Sequence, residues 1–370
     1  MSQQRETEGP GLERPEFVVR KERYYRRLLA GCAALTVAVT LGIIVALSGG
    51  ALTFFGDVSI VEFLTGSNWS PLVPPAEYGV LPLVSGTLII VVGSAVVALP
   101  VGLGAAIYLS EYANPRVRAV LKPGLEILAG IPTVIYGYFA LVYLTPILDA
   151  PLPIEQVIIP SWLGFSVPVL PSWLTFSVPI IPSGIPLVPE FTLVVSEFTL
   201  VVSKFVFVFP SLRAFNALSA SIAVGIMIIP MVSSISEDAM SSVPDDLREA
   251  GYGLGSTKFD VSTKVVVPAA TSGIISSYVL ALSRAIGETM IVTMAGGQSP
   301  KMPFFPNVAQ NFTESIEAMT AAIVEIATAE SLGQTATYDA MFAIGLTLFA
   351  LTLTMNILAE LVRRRFREAY

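Results

Sequence analysis

Six long apolar runs dominate the sequence, and each is long enough to cross a membrane as a helix. They occupy residues 28–47, 81–109, 123–148, 215–235, 265–294 and 340–362. The hydrocarbon core of a bilayer is about 30 Å thick, and a helix crosses it with about 20 residues. Backbone groups at that depth must satisfy one another, which a helix does within itself. The sequence therefore predicts an all-α integral membrane protein with about six transmembrane helices.

The composition excludes an ordinary soluble domain and several kinds of chemistry. Charged residues make up 13% of the chain and apolar residues 54%, whereas soluble domains carry about 25% charged residues. There is no histidine, which rules out histidine-based catalysis, histidine metal sites and imidazole pH switching. The single cysteine, Cys32, cannot form an intrachain disulfide. The net charge of −7 favours a salt-loving source, with ordinary acidic drift as the alternative.

Basic residues predict the orientation of the chain. They cluster at 20–27, 116–122, 248–264 and 363–367, which all fall on one side of a six-span topology. Since Lys and Arg are retained on the cytoplasmic side, we expect both termini to face the cytoplasm of a cell membrane protein. The predicted organisation is a disordered N-terminus (1–22), a first helix and external loop (23–80), a transmembrane domain (81–362) and a basic cytoplasmic tail (363–370).

An unusual segment interrupts the transmembrane domain at about 150–210. Residues 160–170 are repeated almost unchanged at 171–181, and residues 190–196 are repeated at 197–203. Frequent prolines exclude a helix in the first part, and β-branched alternation in the second is typical of strands. The sequence predicts a proline-rich, β-like external insertion, which is either a contact surface for an outside partner or an insertion without function.

The chain contains no complete nucleotide-binding motif. The nearest match to a phosphate-binding loop, residues 251–258, lacks the Gly-Lys-Ser/Thr ending whose lysine holds the terminal phosphates. We therefore expect that the chain is not an enzyme, that it binds no cofactor itself, and that any ATP chemistry belongs to another protein.

Residues 248–268 carry the most specific motif. Glu249, Ala250, Gly251 and Gly255 are followed after nine residues by an aliphatic stretch that ends at Pro268. This segment resembles the EAA loop of type I ABC importer permeases, in which a short helix docks on the ATPase subunit. Gly251 stands where the family has a second alanine. The resemblance implies a type I ABC importer permease fold and a separate ATPase dimer that uses ATP and Mg²⁺.

A second constellation lies in the fifth apolar run. Arg284 and Glu288 are four residues apart, so on a continuous helix they share one face and pair. Charges at membrane depth are costly unless they pair or line a polar path. Because a guanidinium suits phosphate and similar oxyanions, the two residues are either an oxyanion pathway or a purely structural pair.

Three segments together narrow the resemblance. Residues 130–137, 249–255 and 285–290 are similar to the PstC-type permease family of phosphate importers. That resemblance implies a phosphate pathway at Arg284 and Glu288. It also implies a homologous PstA-like permease, an ATPase dimer, an external phosphate-binding protein and membrane lipid as partners, and no nucleic acid. Sulfate or molybdate import is the alternative, followed by a channel or membrane sensor without an ATPase.

Two acceptor sequons lie in segments that the topology places outside. They begin at Asn68 and Asn311, and they predict candidate glycosylation sites.

Overall fold

The computed structural model describes residues 16–149, 212–305, 308–329 and 336–365. The described helices are α1 (Glu16–Asp57), α2 (Ile60–Thr65), α3 (Leu81–Ile107), α4 (Pro115–Ala129), α5 (Thr133–Phe139), α6 (Thr145–Asp149), α7 (Ala217–Ser241), α8 (Asp245–Gly253), α9 (Lys258–Val261), α10 (Val267–Ala269), α11 (Thr271–Ile286), α12 (Gln310–Thr313), α13 (Met319–Thr328) and α14 (Ala336–Arg365). Two short strands, β1 (Trp69–Ser70) and β2 (Glu77–Tyr78), pair antiparallel. The predicted all-α fold is confirmed for this part of the chain.

Four of these segments are apolar and long enough to span a bilayer: Lys21–Asp57, Leu81–Tyr112, Ala217–Ser241 and Ala336–Leu361. Two more spans are broken. Pro115–Ala129 meets Thr133–Asp149 at 86°, and Lys258–Ala269 meets Thr271–Ile286 at 71°. With each bent pair counted as one span, the described residues contain the six predicted crossings.

Four π-helical turns interrupt the regular helices in the described ranges. They are Tyr108–Tyr112, Ala140–Leu144, Ser262–Val266 and Val292–Gly296. Each turn holds one residue more than an α-helical turn, so its hydrogen bond spans five residues, as in the 2.7 Å bond from the amide of Ala113 to the carbonyl of Tyr108. Such turns often occur at functional sites.

The centre of the molecule is a close pairing of α3 with α7. Membrane helices gain little from burying apolar surface, since lipid is equally apolar, and they associate through close packing of small residues. Gly102 on α3 shows how close the approach is, because a Cβ there would lie 2.6 Å from Cγ1 of Val232 on α7. Ala98, Ala220 and Ala223 are buried in the same core.

The first and last spans form the edge of the molecule. α1 packs against α14, while Leu41, Val45 and Leu52 remain exposed along its length. The end of α1 closes a second core, in which Phe54 and Phe63 meet Trp69 of the hairpin and Ile344 of α14.

Two predicted boundaries differ in the structure, and a third lies outside the described residues. Residues 16–22 are helical, so predicted disorder up to residue 22 is wrong there, because a helix that the apolar run has already nucleated extends easily into the flanking residues. For the same reason α14 runs through 363–365, into the predicted tail. The proline-rich, β-like insertion at about 150–210 lies outside the described residues.

Candidate functional site: the docking segment and the fifth span

The segment predicted to dock an ATPase is a helix, a tight turn and a second helix. α8 begins after Pro244, with Asp245 and Asp246 in its first turn. Acidic side chains there are stabilised by the positive end of the helix dipole. It ends before Gly255, whose φ of 81° is a left-handed conformation that favours glycine. We call residues 245–261 the docking segment.

The second half of the docking segment begins with its own cap. The hydroxyl of Thr257 accepts a hydrogen bond from the amide of Asp260 at 3.2 Å, and α9 continues through a π turn into α10, which contains Pro268. The docking segment is therefore continuous with the fifth span. Lys264 pairs with Asp260 at 2.6 Å.

Consecutive residues of the motif face in opposite directions. Glu249 and Ala250 are exposed, whereas Gly251 is buried against α9. A Cβ on Gly251 would lie 2.9 Å from a methyl group of Val261. Gly251 thus lets α8 and α9 pack closely against each other.

Two exposed apolar side chains flank the turn, and the sequence motif did not single them out. Leu254 is 88% exposed and Phe259 is 66% exposed. Exposed apolar surface that is grouped in one place is typical of protein interaction sites. Their signal in the sequence was their position on either side of Gly255, among polar residues.

Arg248 anchors the docking segment to the end of α7. Its guanidinium donates to the carbonyl of Val243 at 2.6 Å and to that of Met240 at 2.8 Å. These carbonyls lie at or just beyond the end of α7, where cationic side chains stabilise unpaired acceptors. The side chain is 14% exposed, so the anchor is largely shielded from water.

Arg284 and Glu288 do not form the predicted ion pair. α11 ends at Ile286 and Gly287 follows outside helical geometry, so the four-residue spacing no longer places the two side chains on one face. A carboxylate oxygen of Glu288 instead accepts from the amides of Met290 at 3.1 Å and Ile291 at 3.2 Å. Glu288 therefore caps the next helical turn from a buried position.

Arg284 is left exposed on the surface of α11. Within the described residues no ion pair or hydrogen bond involves its guanidinium. A guanidinium with free donors is suited to bind an oxyanion in a bidentate manner. The phosphate-pathway role of Arg284 and Glu288 stays a prediction, and the Glu288 carboxylate binds backbone amides just beyond the helix break.

Polar residues of the last span lie beside this stretch of α11. The hydroxyl of Ser283 donates to Asn356 Oδ1 at 2.7 Å, and a groove of about 350 Å³ runs between α11 and α14 past Ser276 and Glu360. Sequence reasoning did not single out Asn356. A lone amide in a long apolar run was the available signal.

The two sequons differ in accessibility. Asn68 is exposed next to the hairpin, so its glycosylation stays a prediction. Asn311 is 6% exposed, and its side-chain amide bonds to the backbone of Phe304 through both polar atoms, at 2.7 and 3.2 Å. The predicted acceptor role of Asn311 is therefore wrong for the folded protein, because the amide is buried and occupied.

Comparison with known proteins identifies the family. The family of binding-protein-dependent transport system inner membrane components matches residues 98–368. The chain belongs to this family. Membership makes it a multi-pass membrane protein and the permease subunit of a transporter.

Relatives within the family are similar over most of their length. The phosphate transport system permease protein PstC of Mesorhizobium japonicum is 31% identical over 90% of this chain and 87% of its own. PstC of Xylella fastidiosa is 30% identical over 98% and 96%, and the probable ABC transporter permease protein YqgH of Bacillus subtilis is 30% identical over 76% and 73%. The resemblance to PstC-type permeases is confirmed.

The fold is that of a solved importer. The structure of a bacterial alginate ABC transporter in complex with an alginate-bound periplasmic protein aligns over 95% of this chain and 99% of that chain, with a TM-score of 0.55 at 15% identity. The expected type I ABC importer permease fold is confirmed.

Proposed function

We propose that this permease subunit carries inorganic phosphate across the cell membrane in an ATP-driven importer. The observation that carries the proposal is the similarity to PstC proteins of phosphate transport over nearly the whole chain. Arg284 agrees with this substrate, since its exposed guanidinium on a membrane-spanning helix has donors available for an oxyanion.

The remaining partners follow from the same proposal. The docking segment, with Leu254 and Phe259 exposed, provides an apolar surface for one subunit of an ATPase dimer that binds ATP and Mg²⁺. The exposed face of α11 contacts a homologous PstA-like permease across the pathway, and an external binding protein delivers phosphate. With basic clusters on the cytoplasmic side, both termini lie in the cytoplasm.

Transport by purified components tests the substrate. The chain is reconstituted in proteoliposomes with the partner permease, the ATPase and the phosphate-binding protein, and uptake of labelled phosphate is measured with and without excess sulfate or molybdate. We expect ATP-dependent phosphate uptake that neither competitor suppresses. Uptake of sulfate or molybdate in place of phosphate would contradict the proposal.

Arg284 is tested in the same preparation. Arg284→Ala removes charge-assisted hydrogen bonds worth about 1.5–3 kcal/mol each, so we expect phosphate uptake to fall about ten-fold or more while the ATPase still co-purifies. The matched control is Arg364→Ala, which removes an exposed arginine from the end of α14 and is expected to retain uptake. Equal uptake by the two variants would exclude Arg284 from the pathway.

A further inference from the structure

The π turn that ends α3 contacts both halves of the docking segment. One of its residues, Glu111, accepts from Nη2 of Arg248 at 3.0 Å, and Arg248 lies in α8. The next residue, Tyr112, holds the ammonium of Lys258 over its ring at 5.1 Å from the centroid, and Lys258 begins α9. One turn of the second span thus contacts the docking segment on both sides of Gly255.

The contact between Glu111 and Arg248 differs from an ordinary surface ion pair. The Glu111 side chain is 4% exposed and that of Arg248 is 14% exposed, so the pair is shielded from solvent. Nε of Arg248 also lies 3.4 Å from both oxygens of Glu111, and the hydroxyl of Ser110 donates to the same carboxylate at 3.0 Å. Removing one partner of such a pair is far more costly than removing an exposed one.

Two neighbouring residues of the π turn reach two different helices, because successive residues of a helix point about 100° apart. Glu111 is buried towards α8, while Tyr112 is 42% exposed beside α9. The turn therefore contacts α8 through the carboxylate of Glu111 and α9 through the ring of Tyr112.

A displacement of the π turn is passed directly to the membrane helices that pack against α3. α3 packs along α7 and also against α11, the helix that carries Arg284. This path runs beside the covalent one, in which the docking segment continues through Pro268 into the fifth span. The guanidinium of Arg248 also joins the end of α3 to the end of α7, since it binds Glu111 and the carbonyl of Met240 together.

We propose that Glu111 and Tyr112 couple the docking segment to the second span, with Arg248 as the positioning residue between them. The proposal rests on the proposed function, in which an ATPase binds the docking segment. When the ATPase moves that segment, the two contacts move the end of α3 with it. Without them the segment still binds the ATPase, but the second span no longer follows.

The first test is Glu111→Gln in the reconstituted importer, with phosphate taken up per ATP hydrolysed as the measured ratio. Glutamine keeps the shape and loses the charge, so co-purification of the ATPase reports that assembly is intact. We expect the ratio to fall about five-fold or more, the lower end of usual coupling between sites. The control Asp238→Asn removes a 63% exposed carboxylate that pairs with Lys122 on the same side, and we expect an unchanged ratio.

A second pair of variants keeps the inference testable if Glu111→Gln fails to assemble. Tyr112→Leu removes the ring under Lys258 from a partly exposed position. We expect it to lower the ratio of phosphate taken up per ATP hydrolysed. Tyr112→Phe retains the ring and should restore it, which a general loss of packing would not explain. A ratio equal to that of the wild type in Glu111→Gln, or in Tyr112→Leu, overturns the proposal.

The wild-type protein separates this inference from the proposed function. If the wild-type complex hydrolyses ATP but transports sulfate or molybdate, the phosphate proposal fails, and the coupling ratio is measured with that anion. If the wild-type complex transports phosphate and the variants retain its ratio, the proposed function stands and the coupling role of Glu111 and Tyr112 is wrong.

Discussion

Glu317 is a carboxylic acid in a loop that its neighbours close off from water. The loop precedes α13 and lies outside the candidate membrane spans. The residue is 1% exposed, and neither carboxylate oxygen has a hydrogen-bond partner among the described residues. Burial, followed by the neighbouring Glu325 carboxyl, raises the pKa of Glu317 to about 9. Glu317 is therefore uncharged at neutral pH.

This raised pKa predicts that stability declines as pH rises. Between the ordinary pKa of 4.5 and about 9, the folded state keeps a proton that the unfolded state has lost. The free energy of unfolding then falls by up to about 1.4 kcal/mol per pH unit, and the stabilisation is lost once pH passes the folded pKa. Glu317→Gln should remove this decline, as measured by thermal unfolding in detergent from pH 5 to 9.

Glu314 provides a control with the opposite sign. A bond from Lys301 at 2.7 Å is the main cause of its lowered pKa, so its contribution is present above the ordinary pKa and is lost as pH falls. Glu314→Gln should leave the alkaline decline in place. If Glu317→Gln unfolds with the same pH dependence as the wild type, the buried acid is not the cause.

At this scale the sequence identified important residues but not their contacts. Glu288 was predicted from its charge at membrane depth, and it is indeed buried at the fifth span. Its predicted partner was wrong, because the rule for pairs four residues apart assumes a continuous helix. Next to the break at Gly287, the hydroxyl of Thr320 on α13 donates to the carbonyl of Glu288 at 2.8 Å. A contact 32 residues away along the chain leaves no local pattern.

At the scale of single elements, the docking segment depends on one left-handed residue. Gly255 has a φ of 81°, and an added Cβ there meets nothing within 4 Å. Gly255→Ala therefore tests backbone strain alone, and we expect a loss of about 1–2 kcal/mol in local stability. Hydrogen exchange of the amides in α8 and α9 measures this loss.

Gly253 is the matched control, two residues away. It ends α8 in ordinary helical geometry, and a Cβ there also meets nothing within 4 Å. Gly253→Ala should slow exchange slightly, since alanine stabilises a helix more than glycine does. Similar exchange in the two alanine variants would show that the turn does not need a left-handed residue.

The elements themselves were largely predictable, with one class of exception. Apolar runs placed all the spans, because a bilayer imposes a minimum length that composition reveals. The bends of 86° and 71° and the π turns were not visible, since they depend on how neighbouring helices satisfy interrupted backbone groups. At Gly130–Pro132, for example, the hydroxyl of Tyr136 donates to the carbonyl of Leu128 at 2.7 Å.

At the scale of the whole molecule, assembly with an ATPase should depend on the exposed apolar residues of the docking segment. Leu254→Ser combined with Phe259→Ser removes apolar surface that is 88% and 66% exposed without disturbing the core. We expect the permease to fold normally while recovery of the ATPase in pull-down falls at least ten-fold, about 1.4 kcal/mol. Burying such surface contributes about 25 cal/mol per Å².

Val120→Ser is the control for that experiment. Val120 is 72% exposed on α4, outside the docking segment, so its loss should leave ATPase recovery unchanged. Equal recovery by the double variant and the control would exclude Leu254 and Phe259 from the docking surface.

The π turns give the spans a means of rotation that needs no unfolding. A π turn contains one residue more than an α turn, so shifting it along a helix by one position rotates the side chain it passes by about 100°. Hydrogen bonds are exchanged one at a time during such a shift, and the helix stays intact on either side. The turns at Tyr108–Tyr112 and Val292–Gly296 lie at the ends of the second and fifth spans. A shift of either turn by one position would re-aim its side chains while the helix axis stays in place.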